Sequence, residues 1–483
     1  MANDGPIPDR SQFTTHDTVS YIWSQLGLPA EALLSLDIPD STSGPGLQSS
    51  FKLKHIAQSS IALSALSAAL IYSLQNRSSV PKVTVPSVHA CVEFESEKLH
   101  TIDAKPSNTK ICPIGGLHRS SDGYVRVHDG FPNHRYGALS LLGLPPTATH
   151  SDVARATLNW KSIDLENAAF NSNIVIAAVR SYQQWDATPQ AQAISNRPIE
   201  VRKLTPGPPG LPSRLANRQS RSLRGVRVIE LSRVIAAPVA GRTLAAHGAD
   251  VLWITSPNLP DLPNIDRDFA RGKRTAQLDL SSEEGRGRLK ALVKEADVFI
   301  QGYRPGSLAA RGFSPSDLAA INPDIVYASI SAYGPSGTWS SNRGFDSLVQ
   351  ACSGMNVSEA EHFGEGQPAR PLPCQALDHA TGYFLATGIC AALYKRATEG
   401  GSYEVKVSLA GTMKYLRSLG QYPGNEGFRC PVLNSEEIEE YLETKTSGFG
   451  ELKAVRHSAS VEGAMPGWDI MPKPLGSDRL EWE

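Results

Sequence analysis

Apolar and polar positions after residue 223 alternate between strand-like and helix-like segments. Residues 226–231 (VRVIEL) and 251–255 (VLWIT) are short β-branched runs of strand length. Between them, residues 238–247 have helical spacing with a proline at the start, and Gly248 suits the end of that helix. This pattern predicts a strand, a helix and a second strand.

The same alternation continues downstream. Apolar positions spaced as on one helical face occupy residues 289–293, and residues 297–301 (DVFIQ) and 324–330 (DIVYASI) have the pattern of strands. Helices between successive strands place those strands parallel in one sheet, with both faces covered. We therefore predict an α/β fold built on an open, parallel, Rossmann-like sheet.

The first turn of this region argues against a bound dinucleotide. Residues 232–238 (SRVIAAP), between the first strand and its helix, contain no glycine. A turn of the G-x-G-x-x-G type needs glycines so that the backbone can approach a pyrophosphate. The sequence predicts the sheet without the nucleotide.

Residues 205–222 are rich in proline, glycine, serine and arginine and divide the chain. This composition buries little apolar area and predicts a linker. Beyond it, residues 380–396 form a predicted helix of small residues, followed by an alternating strand at 403–409 (YEVKVSL).

Part of the region after the linker has a counterpart before it. Residues 55–70 align with 378–393 at an offset of 323 (378 − 55), and residues 83–85 align with 405–407 at 322 (405 − 83). A nearly constant offset over two elements indicates a diverged duplication. His55 stands where the second copy has Asp378, so chemistry at that carboxylate would be confined to the second copy.

Composition narrows the function classes. Lys and Arg total 47 against 48 for Asp and Glu, which gives no reason to expect a nucleic-acid partner. The six cysteines form no C-x-x-C pair, and this favours a reducing compartment over a disulfide scaffold. The N-terminus lacks signal-peptide features, and the apolar stretch 61–74 is short and interrupted by serine. We expect a cytoplasmic protein without membrane contact.

Seven segments, taken together and in this order, closely resemble the first half of family III CoA-transferases of the CaiB–BaiF type. They are LRGVRVIELSRVIAAP (223–238), HGADVLWI (247–254), GKRTAQLDL (272–280), ADVFIQGYRPGSLAARGF (296–313), INPDIVYASISAYG (321–334), GFDSLVQACSG (344–354) and ALDHATGYFLATGICAALYKR (376–396). The resemblance implies that family's architecture, a parallel sheet with a smaller α+β domain, in a fungal-type member.

The resemblance also implies a domain organisation. Residues 223–410 correspond to the CoA-binding domain with its catalytic segment, and residues 1–204 look like the family's second half, a diverged copy plus the small domain. Residues 205–222 are the linker, and residues 411–483 are a C-terminal extension. Because the second half precedes the first here, the N-terminal region or a partner subunit would have to complete the site. The family forms interlocked dimers, which implies a homodimer.

The activity implied by the resemblance is the transfer of coenzyme A from an acyl-CoA donor to a carboxylic acid acceptor. Asp378 corresponds to the nucleophilic carboxylate, which carries first the acyl group and then CoA. At the start of a helix, its anionic form is expected to be favoured by the helix dipole. CoA is a substrate, and the reaction needs no metal and no tightly bound cofactor.

The same resemblance assigns the CoA contacts to three loops, which should converge on one cleft at the ends of the strands. The assigned residues are Arg233, Ile235, Ala236, Gly272, Lys273, Arg274, Thr275, Gly302, Tyr303 and Arg304. Lys273, Arg274 and Arg304 would meet phosphates. Tyr303 would line the adenine pocket.

Phe345 and Gln350 match the family segment that faces the thioester, and this segment separates two alternatives from transfer. The α-methylacyl-CoA racemase branch of the fold carries a base histidine in a G-H-D segment. Here the segment reads Gly344-Phe345-Asp346, and phenylalanine cannot accept a proton, so transfer is preferred. The other alternative is a non-catalytic subunit that stabilises an active paralogue, which His55 and the rearranged order suggest.

Overall fold

The computed structural model describes residues 5–40, 44, 46–107, 112–215 and 220–482, so part of the predicted linker, 216–219, lies outside the described residues. The strands are β1 (Leu36–Asp37), β2 (Val83–Thr84), β3 (Thr101–Ile102), β4 (Lys105–Pro106), β5 (Gly116–Arg119), β6 (Tyr124–Val127), β7 (Ile176–Ala178), β8 (Glu200–Thr205), β9 (Arg227–Leu231), β10 (Asp250–Thr255), β11 (Lys273–Gln277), β12 (Val298–Gln301), β13 (Val326–Ser331), β14 (Ser402–Ser408), β15 (Leu442–Ser447), β16 (Gly450–Val455) and β17 (Ser460–Val461).

The α-helices are α1 (Thr15–Gln25), α2 (Leu53–Asn76), α3 (Ser87–Glu93), α4 (Ser96–Leu99), α5 (Pro132–Leu141), α6 (His150–Thr157), α7 (Ser162–Asn171), α8 (Tyr182–Asp186), α9 (Pro189–Gln192), α10 (Ala236–Ala246), α11 (Pro263–Phe269), α12 (Glu283–Val293), α13 (Pro315–Ile321), α14 (Asp346–Cys352), α15 (Met355–Phe363), α16 (Ala376–Glu399), α17 (Leu409–Ser418) and α18 (Ser435–Glu439). Short 3-10 helices span Ala30–Ser35, Ser213–Leu215, Ala309–Arg311 and Glu426–Phe428.

The largest sheet has the strand order β11-β10-β9-β12-β13-β14-β8. All neighbours from β11 to β14 pair in parallel, and β8 from the N-terminal region adds an antiparallel edge. Val228, Ile229 and Val298 are fully buried, as expected for strands covered on both faces. The predicted α/β class with a large, mostly parallel sheet is confirmed.

Close contact between α10 and α16 explains the small residues in the second helix. A Cβ atom at Gly382 of α16 would lie 2.5 Å from the Ala236 carbonyl oxygen and 2.6 Å from Cβ of Val239. Backbone and side chain of α10 therefore occupy the space that any larger residue would need. This packing holds the second turn of α16 against the start of α10, the helix that follows β9.

A smaller α+β unit lies before the linker. Strands β5, β6 and β7 form a three-stranded antiparallel sheet. Apolar residues from this sheet and from α5, α6 and α7, such as Val125, Leu139 and Leu165, form a core of their own. This unit approaches the large sheet through the residues just before α5.

The two proposed copies match in length. Helix α2 begins at Leu53 and ends at Asn76, and α16 begins at Ala376 and ends at Glu399, so both ends differ by 323 (376 − 53 and 399 − 76). The prediction that residues 55–70 form a helix is confirmed. His55 lies in the first turn of α2, where its half-buried side chain places Nε2 2.7 Å from Thr18 Oγ1.

Among the described residues, α2 alone is long and apolar enough to cross a membrane, with a mean hydropathy of 1.4 over its best window. Of that window, 94% is buried inside the protein. The helix is 24 residues long, so the apolar segment is longer than the stretch 61–74 considered from sequence. Packing against α16 accounts for its apolar character.

Candidate active site

A cleft of about 760 Å³ opens at the carboxyl ends of the parallel strands. The turns that follow β9, β10, β11, β12 and β13 all contribute to its lining. The strand order reverses between β9 and β12, and open α/β sheets bind ligands outside the carboxyl ends at such a point. The cleft is therefore the candidate active site.

The smaller α+β unit forms the opposite wall of this cleft. The ring centroids of Phe131 and His134 lie 6.0 and 5.7 Å from that of Phe345. His128 stacks on Phe345 with a centroid distance of 4.2 Å. The Arg233 guanidinium lies 4.0 Å from the centre of the Phe131 ring. The N-terminal region thus supplies a wall that the rearranged order had left in question.

Four arginines line the cleft without a carboxylate partner. Among the described residues, their guanidinium groups donate to neutral acceptors: Arg233 to the Pro260 carbonyl, Arg304 to Asn173 Oδ1, Arg311 to the Ser307 carbonyl and Arg343 to His134 Nε2. Asp279, whose carboxylate accepts the N–H of Ser281 at 2.9 Å, is the one acidic residue in the described part of the lining. The excess of positive charge suits a ligand that carries several negative charges.

Two of the three predicted CoA loops reach the cleft. Arg233, Gly302, Tyr303 and Arg304 line it. The residues Ile235 and Ala236 do not: they sit at the start of α10, where Ile235 is 4% exposed and the Ala236 carbonyl faces α16.

The third loop was assigned wrongly. The cleft is at the carboxyl end of the strands, and the assigned residues lie at the opposite, amino end of β11: Gly272, Lys273, Arg274 and Thr275. The turn after β11, residues 278–281, lines the cleft in their place. The four have partners inside the protein: Gly272 N–H donates to Ile470 O, Lys273 pairs with Glu230, Arg274 pairs with Asp250, and Thr275 N–H donates to Asp478. Motif order located the strand but not which of its ends faces the cleft.

Lys273→Met tests this correction. Both Lys273 and Glu230 side chains are fully buried, 2.8 Å apart, and the lysine also donates to the Pro238 carbonyl. Removing the lysine should cost about 3 kcal/mol of unfolding free energy, limited because Glu230 can neutralise by taking up a proton. The KM for acyl-CoA of the folded variant should stay within about twofold of wild type. A tenfold rise in that KM without loss of stability would restore Lys273 to the CoA site.

Asp378 lies in the first turn of α16 and is 8% exposed. Asp346, at the start of α14, holds this turn in place: one oxygen, Oδ2, accepts the N–H groups of Leu377 and Asp378 at 2.9 and 3.0 Å. No side chain or backbone group of the described residues donates a hydrogen bond to the Asp378 carboxylate. The start of the helix is fixed, while the predicted attacking oxygens keep their lone pairs available.

The electrostatics at Asp378 oppose the helix-dipole expectation. Burial, followed by the carboxylates of Asp346 and Glu97, raises the pKa of Asp378 well above its usual range. Burial also raises the pKa of Asp346 to about 6. Because Asp346 already occupies the free N–H groups of the helix start, they do not stabilise the Asp378 anion. The acid form is favoured instead.

Gln350, predicted to face the thioester, is buried behind the site and does not line the cleft. Its side-chain N–H donates to Asp346 Oδ1, and its Oε1 accepts Asn356 Nδ2 and the Leu372 N–H, each at 3.0 Å. Phe345 does line the cleft. Gln350 thus contacts Asp346, which in turn holds the turn that carries Asp378.

His379 follows Asp378 but points into the core. Its Nε2 lies 2.9 Å from Glu97 Oε2, and its ring stacks on Phe94 with centroids 5.3 Å apart. Burial by itself would raise the pKa of Glu97, but the hydrogen bond and charge of His379 outweigh it and lower that pKa. His379 packs an N-terminal segment against α16, as expected for a bystander to the chemistry.

Asp346→Asn should shift the pH dependence of activity. Removing the Asp346 charge lowers the pKa of Asp378, so the acidic limb of the kcat/KM profile should move to lower pH. Wild-type stability from Asp346 is present below about pH 4 and is lost as pH rises through about 6, because the folded pKa is raised. The variant should lose this pH dependence of stability. Its side-chain amide faces the N–H donor of Gln350, and the lost hydrogen bond should cost about 1–3 kcal/mol of unfolding free energy. Denaturation at several pH values and a pH–rate profile measure both; an unmoved acidic limb would contradict the coupling.

Sequence reasoning missed several residues of the site. Arg343 immediately precedes the recognised segment 344–354, and the pattern gave no sign that it lines the cleft. Asp346 lies within that segment, and the pattern gave no sign that it holds the start of α16. Phe131 and His134 belong to the N-terminal region, more than 200 residues from Phe345 in sequence. Proximity across such a distance depends on tertiary packing, and one sequence does not encode it visibly.

Comparison with known proteins identifies the region that contains the cleft. Residues 223–428 match the family model for CoA-transferase family III. These residues form a CoA-transferase family III domain, which covers less than half of the chain. The resemblance stated from the sequence is confirmed, and the matched residues include β9 to β14 and α16.

Two curated relatives of this CoA-transferase domain come from fungi. The acetyl-coenzyme A transferase of Hypoxylon pulicicidum is 35% identical over 207 residues, covering 42% of this chain and 35% of that protein. An acyl-CoA transferase of Gibberella moniliformis is 31% identical over 313 residues, covering 62% of this chain and 51% of that protein. The chain thus spans about a third to a half of the length of these relatives.

A solved structure of a CaiB/BaiF family protein from Brucella suis is also similar. Its sequence is 28% identical, with a TM-score of 0.36, over 48% of this chain and 65% of that one.

Proposed function

We propose that this family III CoA-transferase moves coenzyme A from an acyl-CoA donor to a carboxylic acid acceptor, with Asp378 as the covalent nucleophile. The observation that carries the proposal is the cleft at the carboxyl ends of the strands, in a domain of this family, lined by four arginines that have no ion partner among the described residues. CoA carries phosphates at one end and a thiol at the other. It therefore suits a cleft with positive charge at its mouth.

The arginines differ in exposure along the cleft. Arg304 and Arg311 are exposed, whereas Arg233 and Arg343 are half-buried. Arginine binds phosphate oxygens through paired N–H groups, and an exposed pair at the rim can meet them without desolvating the protein interior. We assign the CoA phosphates to Arg304 and Arg311. Tyr303, next to them, is half-buried against the apolar core of the sheet.

The proposed reaction needs no proton transfer and no redox step. An Asp378 carboxylate oxygen attacks the donor thioester carbon, and the C–S bond breaks to give an aspartyl acyl anhydride and the CoA thiolate. The thiolate attacks the aspartyl carbon and releases the donor acid, leaving an aspartyl-CoA thioester. The acceptor carboxylate then attacks this thioester, and the returning thiolate takes the acceptor acyl group, which restores Asp378.

The surroundings of Asp378 support this role. An anion that is poorly stabilised in its resting state is a stronger nucleophile than a well-solvated one, and the raised pKa of Asp378 reflects such poor stabilisation. The same raised pKa makes the reactive anion scarce at low pH. The rate of transfer should therefore rise with pH until Asp378 is ionised.

Racemisation is less well supported. Phe345 takes the place of the base histidine, and it cannot remove an α-proton. His128 stacks on that ring, and burial lowers the pKa of His128 to about 3. Exchange of the α-proton of an acyl-CoA in deuterium oxide would reveal a racemase, whereas a transferase leaves that proton in place.

Mass spectrometry of the intact protein tests the proposal directly. Incubation with a set of acyl-CoA thioesters should add the mass of CoA, less one water, to the wild-type chain. Hydroxylamine added during turnover should convert the labelled carboxyl group to a hydroxamate in the peptide that contains Asp378. A hydroxamate on Asp346 would mean that the wrong carboxylate was chosen. No adduct and no exchange of label between acyl-CoA and free acid would favour a non-catalytic subunit.

A further inference from the structure

One end of the cleft contains hydrogen-bond donors that have no acceptor. Arg343 Nη1 donates to His134 Nε2 at 3.4 Å. Because a guanidinium group cannot accept, Nε2 must be the accepting nitrogen, and the proton of the neutral ring is on Nδ1. His134 is 6% exposed, and its Nδ1 has no hydrogen-bond partner in the part of the chain that the structure describes.

Arg233 contributes a second donor of this kind. Its Nε is buried and, within the described ranges, has no partner, while another nitrogen of the same guanidinium donates to the Pro260 carbonyl. The Arg233 guanidinium lies 4.0 Å from the centre of the Phe131 ring, whose centroid is 5.6 Å from that of His134, so Arg233, His134 and Arg343 are close together. Burial, followed by the charges of Arg343 and Arg233, lowers the pKa of His134 to about 4. Buried donors are rarely left without acceptors, so an acceptor from outside the chain is expected here.

These donors lie where Phe345 lines the cleft, and Asp346 connects that segment to Asp378, which does not itself line the cleft. Arg343 and Phe345 are two residues apart in the sequence, and the His134 ring contacts the Phe345 ring edge to face. Phe345 immediately precedes Asp346, whose carboxylate holds the N–H of Asp378 at 3.0 Å. Arg304 and Arg311, assigned to the phosphates, follow β12. The charge of Arg304 also acts on Arg343, where it adds to burial in lowering the pKa of that guanidinium.

We propose that His134, Arg233 and Arg343 form a subsite for an oxyanion, the second carboxylate of a dicarboxylic acid whose other carboxylate exchanges CoA. The substrate class rests on the proposed transfer function. A carboxylate held by two guanidinium groups is a weak nucleophile, so the subsite holds the group that does not react. Phe131 and Phe345 border the subsite and provide apolar contact for the carbon chain between the two carboxylates.

Succinate and butyrate test the subsite because both have four carbons and only succinate has a second carboxylate. With acetyl-CoA as donor, wild type should favour succinate over butyrate in kcat/KM by about 10- to 100-fold. Arg343→Gln should remove most of that preference by raising the KM for succinate, while the KM values for butyrate and acetyl-CoA stay within about threefold. His134→Phe keeps the ring and loses both nitrogens, and it should weaken the preference in the same way.

Two controls separate this subsite from the phosphate contacts. Arg311→Gln should raise the KM for acetyl-CoA without changing the ratio of succinate to butyrate. Tyr136→Phe alters a half-exposed ring on α5, 52% exposed and outside the cleft, and should change neither value. If Arg343→Gln raises the KM for acetyl-CoA and leaves the succinate preference intact, the subsite binds a CoA phosphate and the proposal is overturned.

Binding without turnover distinguishes failure of the subsite from failure of the transferase function. Calorimetry with succinate alone should show binding to wild type that is at least tenfold weaker in Arg343→Gln, and butyrate should bind both proteins equally weakly. This result would support the subsite even if no acid accepted CoA. Equal binding of succinate to wild type and Arg343→Gln would overturn it even if transfer to monocarboxylic acids were efficient.

Discussion

Asp378→Asn should reduce CoA transfer by about three orders of magnitude or more, because the amide keeps the shape of the side chain and lacks the attacking anion. The variant should fold at least as well as wild type at neutral pH. Burial and two nearby carboxylates raise the pKa of Asp378, so ionising it destabilises the folded state, and the neutral amide avoids that cost. Label exchange between acyl-CoA and free acid measures transfer, and thermal unfolding measures stability.

Asp378→Glu should also lose most activity. Asp346 fixes the backbone at the start of the helix, so the added methylene of glutamate moves the carboxylate oxygens away from the attacking position. Small misplacements of this kind are costly in covalent catalysis. The matched control is His55→Ala, at the corresponding position of α2, where no carboxylate is present. Its turnover should be close to wild type at a temperature at which it is folded. Full activity of Asp378→Asn would reject the mechanism.

The sheet could be predicted because local pattern determines it. Runs such as 226–231 and 251–255 are continuous and β-branched, and their burial on both faces requires the helices that the sequence places between them. The resemblance to the family assigned CoA contacts to the turns after β9 and β12, and the rule that ligands lie beyond the carboxyl ends of parallel strands predicted that such turns converge on one cleft. Those two turns do line the cleft.

The same rule would have corrected the third loop had the strand been placed accurately. Residues 272–275 were treated as a loop, but β11 begins at Lys273, and its carboxyl end lies at 278–281. The charges of Lys273 and Arg274 suggested phosphate contact, although Lys273 pairs with Glu230 of β9, two strands away, and Arg274 pairs with Asp250 of the adjacent strand β10. Ion pairs between neighbouring strands depend on register, and a single sequence does not reveal register.

The pKa of Asp378 was beyond prediction for a related reason. A helix start favours an anion only if its N–H groups are free, and here Asp346 of another helix accepts them. The third carboxylate, Glu97, comes from a short helix nearly 300 residues earlier. The sum of these fields depends on tertiary contacts, and even the sign of the shift differs from that expected for an isolated helix.

The buried cluster of Asp268, Arg242 and Arg271 should be the largest single contributor to stability among the ion pairs described. Asp268 Oδ1 and Oδ2 accept from Arg271 and Arg242, and all three side chains are at most 1% exposed. Ser96 of the N-terminal region donates to Asp268 at 2.7 Å, and Arg271 donates to the Val455 carbonyl of β16 at 2.5 Å. The cluster therefore joins three parts of the chain.

Asp268→Asn should cost about 5 kcal/mol of unfolding free energy, at the upper end for a broken buried pair. The reason is that arginine does not give up its proton, so two guanidinium groups would remain buried with their charge uncompensated. In wild type, burial opposes ionisation of Asp268, but the two arginines outweigh it and lower its pKa. The stability due to this group is thus present above about pH 4, the pKa of an unfolded aspartate, and is lost as pH falls towards the folded pKa.

A surface pair provides the comparison for Asp268. Arg221 donates to both oxygens of Asp469 at 2.8 and 2.9 Å, but the aspartate side chain is 62% exposed. Asp469→Asn should therefore change the unfolding free energy by no more than about 1 kcal/mol. Urea unfolding of both variants between pH 3 and 8 measures the difference. Equal effects of the two substitutions would show that the Asp268 cluster does not hold the N-terminal and C-terminal segments on the CoA-transferase domain.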